Sequence, residues 1–312
     1  MRLEFVKTLL ELAEEDARIL LLTGDLGFLV LEPFRDRFPK RFFNVGVAEQ
    51  NMVGLATGLA ESGFVPFVYS IATFASLRPF EFIRNGAVHH KLPVRVVGVG
   101  GGFDYGMAGG THHALEDIGV MRTQPGMTVI APADYRQTAT ALRATKDVEG
   151  PIYYRIGKDD HTSINGLEGR FELGRAQVCR EGSDLLFIVM GSIAKEVMEA
   201  ADILAEQGIN STVMIVASLN PPPVEDISNA LSRFNVAMTV EAHYTVGGVG
   251  SLVSEIAAQG GASCRVVRCG VRCAPDSLSG STDYLNQVHG LTAGALVDRA
   301  WRALTFATEV AQ

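Results

Sequence analysis

The hydrophobic pattern alternates between short apolar runs and segments with helical periodicity along most of the chain. In the first half, the apolar runs predict strands over residues 19–23, 42–45, 65–69, 94–99, 128–131 and 152–155, and the periodic segments predict helices over residues 5–16, 49–62, 77–89 and 135–146. Strands that alternate with helices of this length are typical of βαβ units. This half is therefore predicted to form a mainly parallel sheet.

A polar stretch between residues 157 and 182 interrupts this pattern. Beyond it, strands are predicted over residues 185–190, 211–216, 236–240 and 264–269, with helices over residues 194–207, after Pro223 and over residues 250–259. The predicted fold class is therefore α/β, with two consecutive domains that each contain a mainly parallel sheet. We place these domains at residues 1–165 and 175–312.

Composition and charge exclude several classes of function. The 312 residues are 47% hydrophobic, and 27 basic against 35 acidic residues give a net charge of −8. No stretch combines clustered Lys and Arg with aromatic residues, as nucleic-acid binding would require. The apolar runs are far shorter than the ~20 residues that cross a bilayer, and the N-terminus lacks the features of a secretory signal. We therefore expect a cytoplasmic protein that binds neither nucleic acid nor membranes.

The cysteines and two glycine-rich segments offer little chemistry by themselves. The four cysteines are Cys179, Cys264, Cys269 and Cys273. The last three lack C-x-x-C spacing and have no histidine among them, so the pattern favours reduced thiols and predicts no metal site. Residues 24–27 and 247–250 match neither common phosphate-loop motif, and tight turns explain their glycines better than anion binding does.

Glu49 is the first candidate for a functional side chain. It follows the predicted strand at residues 42–45 and begins a helix rich in glycine and alanine. Open parallel sheets bind ligands at the carboxyl ends of their strands, where this carboxylate would lie. Taken alone, an acid in the first turn of a helix is better explained as a solvated side chain that the helix dipole favours. The pattern alone leaves both interpretations open.

Several blocks of sequence resemble a known family when they are taken together. They occupy residues 45–60, 66–74, 91–93, 109–112 and 125–134 in the first half, and residues 171–175, 241–243 and 247–251 in the second. In order and spacing they are similar to transketolases and to 1-deoxyxylulose-5-phosphate synthases. The resemblance implies an enzyme that transfers a two-carbon ketol unit between sugar-phosphate-like substrates.

This resemblance implies thiamine diphosphate as the cofactor and assigns residues to it. Glu49 matches the catalytic glutamate that hydrogen-bonds the aminopyrimidine ring and promotes loss of the thiazolium proton. Phe74 matches the aromatic residue that stacks on this ring. Ile71 and Leu77 stand where many transketolases have two further aromatic residues, so Ile71 is expected to line a thinner ring site.

The resemblance also implies substrate contacts. His112 matches a catalytic histidine that hydrogen-bonds substrate hydroxyls near the reacting carbon. Arg155 and Arg2 match arginines that bind the phosphate of sugar phosphates. Two positions depart from the family pattern, because Ala108 replaces an aspartate and Gly100 replaces a further substrate-binding histidine. Donor and acceptor therefore stay open.

The family motif for magnesium and diphosphate, Gly-Asp-Gly with a downstream asparagine, does not occur in the chain. A divalent cation is needed to neutralise the diphosphate. We therefore expect a separate diphosphate-binding transketolase subunit that holds most of the Mg²⁺ site, in a two-plus-two heterotetramer. Two alternatives stay open at this point: the β subunit of a 2-oxo acid dehydrogenase and a non-catalytic scaffold subunit.

Overall fold

The first half of the chain alternates strands and helices. The computed structural model describes residues 1–273 and 278–310, so the predicted end of the second domain at residue 312 lies outside it. The elements are α1 (Arg2–Glu15), β1 (Ile19–Thr23), α2 (Glu32–Arg37), β2 (Phe42–Asn44), α3 (Glu49–Glu61), β3 (Val65–Ile71), α4 (Ala72–Leu77), α5 (Phe80–Phe82), β4 (Arg95–Val99), α6 (Asp117–Arg122), β5 (Thr128–Ile130), α7 (Tyr135–Ala144) and β6 (Ile152–Ile156). Two 3₁₀ turns, Gly106–Ala108 and Gly110–His112, lie in the glycine-rich loop between β4 and α6.

The second half repeats this alternation. Its elements are β7 (Gln177–Arg180), β8 (Leu185–Met190), α8 (Ala194–Glu206), β9 (Ser211–Ile215), β10 (Ser218–Asn220), α9 (Val224–Leu231), β11 (Val236–Tyr244), α10 (Val249–Gly260), β12 (Arg265–Val271), α11 (Thr282–Val288) and α12 (Ala293–Val310). The hydrophobic pattern does not predict β7, β10, α11 or α12. Within the described residues, no helix is both long and apolar enough to span a membrane.

The described strands form two sheets. One has the order β10-β5-β6-β4-β3-β1-β2 and the other the order β12-β11-β8-β9-β7. β10 and β7 pair antiparallel at the sheet edges, and the other pairs are parallel. β1 and β8 are buried along their whole length, as expected for strands in parallel sheets that helices cover on both faces. The predicted pair of α/β domains with mainly parallel sheets is confirmed.

The helix predicted over residues 77–89 is wrong in its bounds. α4 ends at Leu77, and α5 begins only at Phe80 before a π-helical turn at Ile83–Val88. Pro79 lies at the break, where it lacks an amide hydrogen for the helix and its ring crowds the preceding turn. The break ends the helix that carries Phe74.

The arginine of a buried ion pair in the first half also contacts the second half of the chain. At the end of β6, Arg155 Nε donates to Asp117 Oδ2 at 3.0 Å, and the Tyr153 hydroxyl donates to the same oxygen at 2.7 Å. Arg155 Nη2 donates to the carbonyl oxygens of Ala114 and Ala242, each at 2.8 Å. Because Ala242 belongs to β11, the guanidinium connects the first sheet with the second.

A neutral histidine makes a second connection between the halves. Burial lowers the pKa of His243 to about 4, so its ring is uncharged at pH 7. Nδ1 donates to the Tyr244 carbonyl oxygen at 2.7 Å, which leaves Nε2 to accept from the Gly119 amide at 3.3 Å. Arg122 donates to the Gly247 carbonyl oxygen at 2.6 Å. Helix α6 is therefore held against the loop between β11 and α10.

Glu241 caps the N-terminus of α10 from within the second half. Its Oε2 accepts from the Val249 amide at 2.8 Å and its Oε1 from the Gly250 amide at 2.9 Å. The side chain is fully buried, and burial raises the pKa of Glu241 to about 7 even though both amides act in the opposite direction. A Cβ at position 248 would lie 1.8 Å from Glu241 Oε2, so this close approach requires Gly248.

Removing the anion of the buried ion pair should be strongly destabilising. Asp117→Ala leaves the Arg155 guanidinium buried without its counter-charge, which should lower the free energy of unfolding by about 3–5 kcal/mol. Glu255→Ala is the control, because Glu255 pairs with Arg122 but its side chain is 55% exposed, and the loss should stay below about 1 kcal/mol. Urea unfolding followed by circular dichroism measures both. Equal losses in the two variants would contradict the role given to Asp117.

The buried carboxyl of Glu241 predicts a pH dependence of stability. Its folded pKa of about 7 lies above the ordinary value of 4.5, so the folded state binds the proton more tightly. This contribution is fully present below about pH 4.5 and is lost as the pH rises through 7, by at most about 1.4 kcal/mol per pH unit. Urea unfolding followed by fluorescence of Trp301 on α12 should therefore show a steeper decline from pH 5 to 8 in the wild type than in Glu241→Gln. Parallel pH profiles would show that Glu241 does not titrate in this range.

Candidate active site

The carboxylate of Glu49 lies at the carboxyl edge of the seven-stranded sheet. Glu49 begins α3 directly after the β2 connection, and only 1% of its side chain is exposed. Its Oε1 accepts from the Ser70 hydroxyl of β3 at 2.9 Å, and its Oε2 accepts from Arg78 Nη1 at 2.8 Å. Gly24 follows β1, and a Cβ there would stand 3.4 Å from Glu49 Oε1. Strand ends and a helix N-terminus thus converge on one buried carboxylate.

The rings of Phe74 and His112 are connected to this carboxylate through Arg78. The two rings are 5.0 Å apart between centroids at an interplanar angle of 66°, and both side chains are half-buried. The guanidinium carbon of Arg78 lies 3.8 Å from the Phe74 ring centroid. The Thr111 hydroxyl is 3.0 Å from His112 Nδ1. Through Arg78, the structure brings Glu49, Phe74 and His112 into one cluster, which we call the Glu49 cluster.

The other predicted site residues have different surroundings. Ile71 is the half-buried last residue of β3, directly before the helix that carries Phe74. Arg155 contacts Asp117 and the second half of the chain. Arg2 begins α1, and its Nη2 lies 3.7 Å from Asp160 Oδ2. Ile71 is therefore close to Phe74 along the chain, whereas Arg2 and Arg155 are bound to other partners.

The structure shows the surroundings of Gly100 and Ala108, the two positions that depart from the family pattern. Gly100 has φ +78°, and a Cβ there would lie 2.2 Å from Tyr105 Cε2. The Tyr105 ring therefore fills the space that a side chain at position 100 would need. Ala108 is exposed in the first 3₁₀ turn of the glycine-rich loop.

Metal-ligating groups are dispersed over the chain. Among residues 1–273 and 278–310, no three His, Cys, Asp or Glu side chains are grouped so that they could hold a metal ion. The four cysteines are free thiols. Burial raises the pKa of Cys179 to about 12 and that of Cys264 to about 11, so both are protonated at pH 7.

Two family models match the chain in succession. The transketolase pyrimidine-binding domain matches residues 1–161, and the transketolase C-terminal domain matches residues 174–296. The chain belongs to the transketolase family. The Glu49 cluster of this transketolase chain lies entirely within the residues that match the pyrimidine-binding domain.

Curated relatives of this transketolase chain include subunits of similar length. It is 36% identical over 303 residues to the 6-deoxy-6-sulfo-D-fructose transketolase subunit of Clostridium sp. (strain MSTE9), covering 96% of this chain and 93% of the relative. It is 35% identical over 268 residues to one of the subunits of apulose-4-phosphate transketolase in Phocaeicola vulgatus, covering 85% and 86%. The 1-deoxy-D-xylulose-5-phosphate synthase of Desulforudis audaxviator is 34% identical over 302 residues, and the match spans 47% of that enzyme.

A solved structure supports the same relationship. It is described as a split gene transketolase, inactive beta4 tetramer, and it superposes on this transketolase chain with a TM-score of 0.88. The two share 36% identity over 97% of this chain and 98% of the other. The resemblance to transketolases and 1-deoxyxylulose-5-phosphate synthases is therefore confirmed.

Sequence reasoning missed two residues that contact the Glu49 cluster, Arg78 and Ser70. Arg78 follows Phe74 by four residues, a spacing that puts two side chains on one helix face and could have indicated their contact. Its ion pair with Glu49 spans 29 positions and depends on the tertiary fold. Ser70 carries a hydroxyl group near the otherwise apolar end of β3. This position gives only a weak indication of its contact with Glu49.

Proposed function

We propose that this chain is the pyrimidine-binding subunit of a thiamine diphosphate-dependent transketolase that transfers a two-carbon ketol unit. The observation that carries the proposal is the buried Glu49 carboxylate beside Phe74 and His112, at the sheet edge where open α/β folds bind ligands. The transketolase subunits among its relatives favour this function over a 2-oxo acid dehydrogenase β subunit.

The chemistry of the Glu49 cluster fits an aminopyrimidine ring. Phe74 offers an aromatic face, Ile71 an adjoining apolar side chain and Glu49 a carboxylate for a ring nitrogen. When bound, thiamine diphosphate supplies a nucleophilic carbon that attacks ketones. Glu49 would exchange a proton with the ring nitrogen through a carboxylate oxygen. Because the side chain is buried, bulk water would not compete for that proton.

His112 would contact the substrate from the other side of the cluster. Its Nδ1 is paired with the Thr111 hydroxyl and its ring packs against Phe74. This arrangement fixes the ring and leaves Nε2 for a substrate hydroxyl. We therefore propose that His112 is a catalytic residue that holds substrate oxygens near the reacting carbon.

The substrates are proposed to be sugar phosphates or sugars of similar charge. The names of two relatives specify a sulfonated sugar and a sugar phosphate. Arg2 suits an anionic group because 29% of its side chain is exposed. The Arg155 side chain is only 5% exposed, and its Nε and Nη2 are already bound, so Nη1 would have to make the contact with the substrate. We propose both arginines as phosphate contacts, with Arg2 the more accessible.

The diphosphate and Mg²⁺ are proposed to be held mainly by a partner subunit. The described residues offer no group of ligands for the metal. Loops at the carboxyl ends of β1, β2 and β4 carry four strongly exposed apolar side chains: Phe28, Leu29, Val47 and Met107. Exposed apolar patches mark interaction surfaces. A two-plus-two assembly about a two-fold axis would cover these loops and complete the site.

The amide variant of Glu49 tests the proposed chemistry. Glu49→Gln keeps the size of the side chain but cannot exchange a proton with the ring, so deuterium exchange at the thiazolium carbon of thiamine diphosphate should slow by ~10²–10⁴ in the reconstituted complex. Glu61→Gln makes the same change at the exposed far end of α3 and should exchange at the wild-type rate. Wild-type exchange in Glu49→Gln would favour a scaffold subunit instead.

The exposed loops are predicted to form the interface with the partner subunit. Light scattering of the chain mixed with its diphosphate-binding partner should give a two-plus-two mass. Leu29→Glu puts a charge on a side chain that is 92% exposed and should weaken association at least roughly tenfold if that side chain becomes buried. Val224→Glu, on α9 of the second half, is the matched control and should associate normally. A one-plus-one mass, or equal behaviour of the variants, would refute this assembly.

A further inference from the structure

Arg78 contacts both groups that we assign to the pyrimidine ring. Its Nη1 lies 2.8 Å from Glu49 Oε2, and its guanidinium carbon lies 3.8 Å from the Phe74 ring centroid. The side chain is 42% exposed, whereas that of Glu49 is 1% exposed. One planar cation at the mouth of the site thus bonds the buried carboxylate and stacks on the aromatic ring.

The buried carboxylate of Glu49 needs a counter-charge, which the Arg78 guanidinium provides. A buried carboxylate loses its hydration, and a neutral donor such as the Ser70 hydroxyl restores only part of it. Among the described residues, Arg78 makes the ion pair of Glu49. Without the guanidinium, the carboxylate would be buried without a counter-charge, and its position in the site would no longer be fixed.

We propose that Arg78 is a positioning residue for cofactor binding: it holds the Glu49 carboxylate and the Phe74 ring in the arrangement that receives the aminopyrimidine ring. The inference rests on the proposed function, because it takes the ring to be the ligand of the Glu49 cluster. Arg78 acts through Glu49, so its effect should depend on the carboxylate being present.

The break in the helix supports this role. Arg78 is the C-cap residue of α4, directly before Pro79, and it follows Phe74 by four residues. The i,i+4 spacing brings the guanidinium over the ring, and the chain break fixes where the side chain leaves the helix. The contact with Phe74 therefore follows from the local backbone, whereas the ion pair with Glu49 depends on the tertiary fold.

Thiamine diphosphate affinity is the direct test. Isothermal titration of the complex, reconstituted with its diphosphate-binding partner and Mg²⁺, should show binding weakened roughly 10- to 100-fold in Arg78→Met. Arg78→Lys keeps the charge but lacks the planar face, so it should recover part of the loss. Unfolding temperatures verify that the variants fold, and Arg78→Lys decides the matter where Arg78→Met does not fold.

A matched arginine elsewhere provides the control. Arg37 also combines an ion pair, 3.1 Å from Glu14 Oε1, with a position over a phenylalanine ring, 5.6 Å from the Phe38 centroid. Arg37→Met should leave thiamine diphosphate affinity unchanged. An equal loss of thiamine diphosphate affinity in Arg37→Met and Arg78→Met would show that the effect of Arg78→Met comes from lower general stability. That result would overturn the proposal.

The double variant separates action through Glu49 from direct contact with the cofactor. In the Glu49→Gln background, adding Arg78→Met should weaken binding by less than roughly threefold, since the carboxylate it holds is already gone. Fully additive losses would mean that Arg78 contacts the cofactor itself. Unchanged or tighter binding in Arg78→Met alone would mean that the guanidinium is idle or competes with the ring. Additive losses, unchanged binding or tighter binding would each overturn the positioning role.

Thiamine diphosphate binding by the wild-type complex separates the test of Arg78 from the test of the proposed function. If the wild-type complex does not bind thiamine diphosphate, the proposed function fails and the positioning role fails with it. If the wild type binds and Arg78→Met binds equally well, only the positioning role fails. Nuclear magnetic resonance of the arginine side chains in the chain alone checks the ion pair itself, because the Arg78 guanidinium signal should shift in Glu49→Gln and not in Glu61→Gln.

Discussion

The structure of the site depends on the burial of one carboxylate, that of Glu49. An ionised group removed from water must find donors and a counter-charge, and the fold supplies them from three separate segments. The Ser70 hydroxyl comes from β3, the guanidinium of Arg78 from the end of α4, and the N-terminal end of α3 adds its dipole. The parallel sheet brings these segments together because its strands end at one edge.

Hydrogen bonds from the second half of the chain hold the end of the loop that carries His112. Asp117 and Gly119 follow His112 by a few residues, and they are bound to Arg155 and His243. Those contacts tie helix α6, and with it the end of the glycine-rich loop, to β11 of the second sheet. The loop that presents His112 is therefore anchored on both halves.

Much of the fold could be predicted from the sequence because buried parallel strands are apolar throughout, as β1 and β8 are. The short edge strands β7 and β10 could not, since one is only partly buried and the other has three residues. At the site, the position of Glu49 after a strand indicated a ligand-binding edge. Its ion pair with Arg78 spans 29 residues and is set by tertiary packing. The pairing of Arg155 with Asp117 likewise left no local signal.

We propose that Glu49 and Phe74 form the pyrimidine half of a thiamine diphosphate site. A crystal structure of the chain with its diphosphate-binding partner, Mg²⁺ and thiamine diphosphate would show whether they do. We expect the aminopyrimidine ring on the Phe74 face, with a ring nitrogen within hydrogen-bond distance of a Glu49 carboxylate oxygen. A cofactor bound elsewhere, with the Glu49 cluster empty, would contradict the claim.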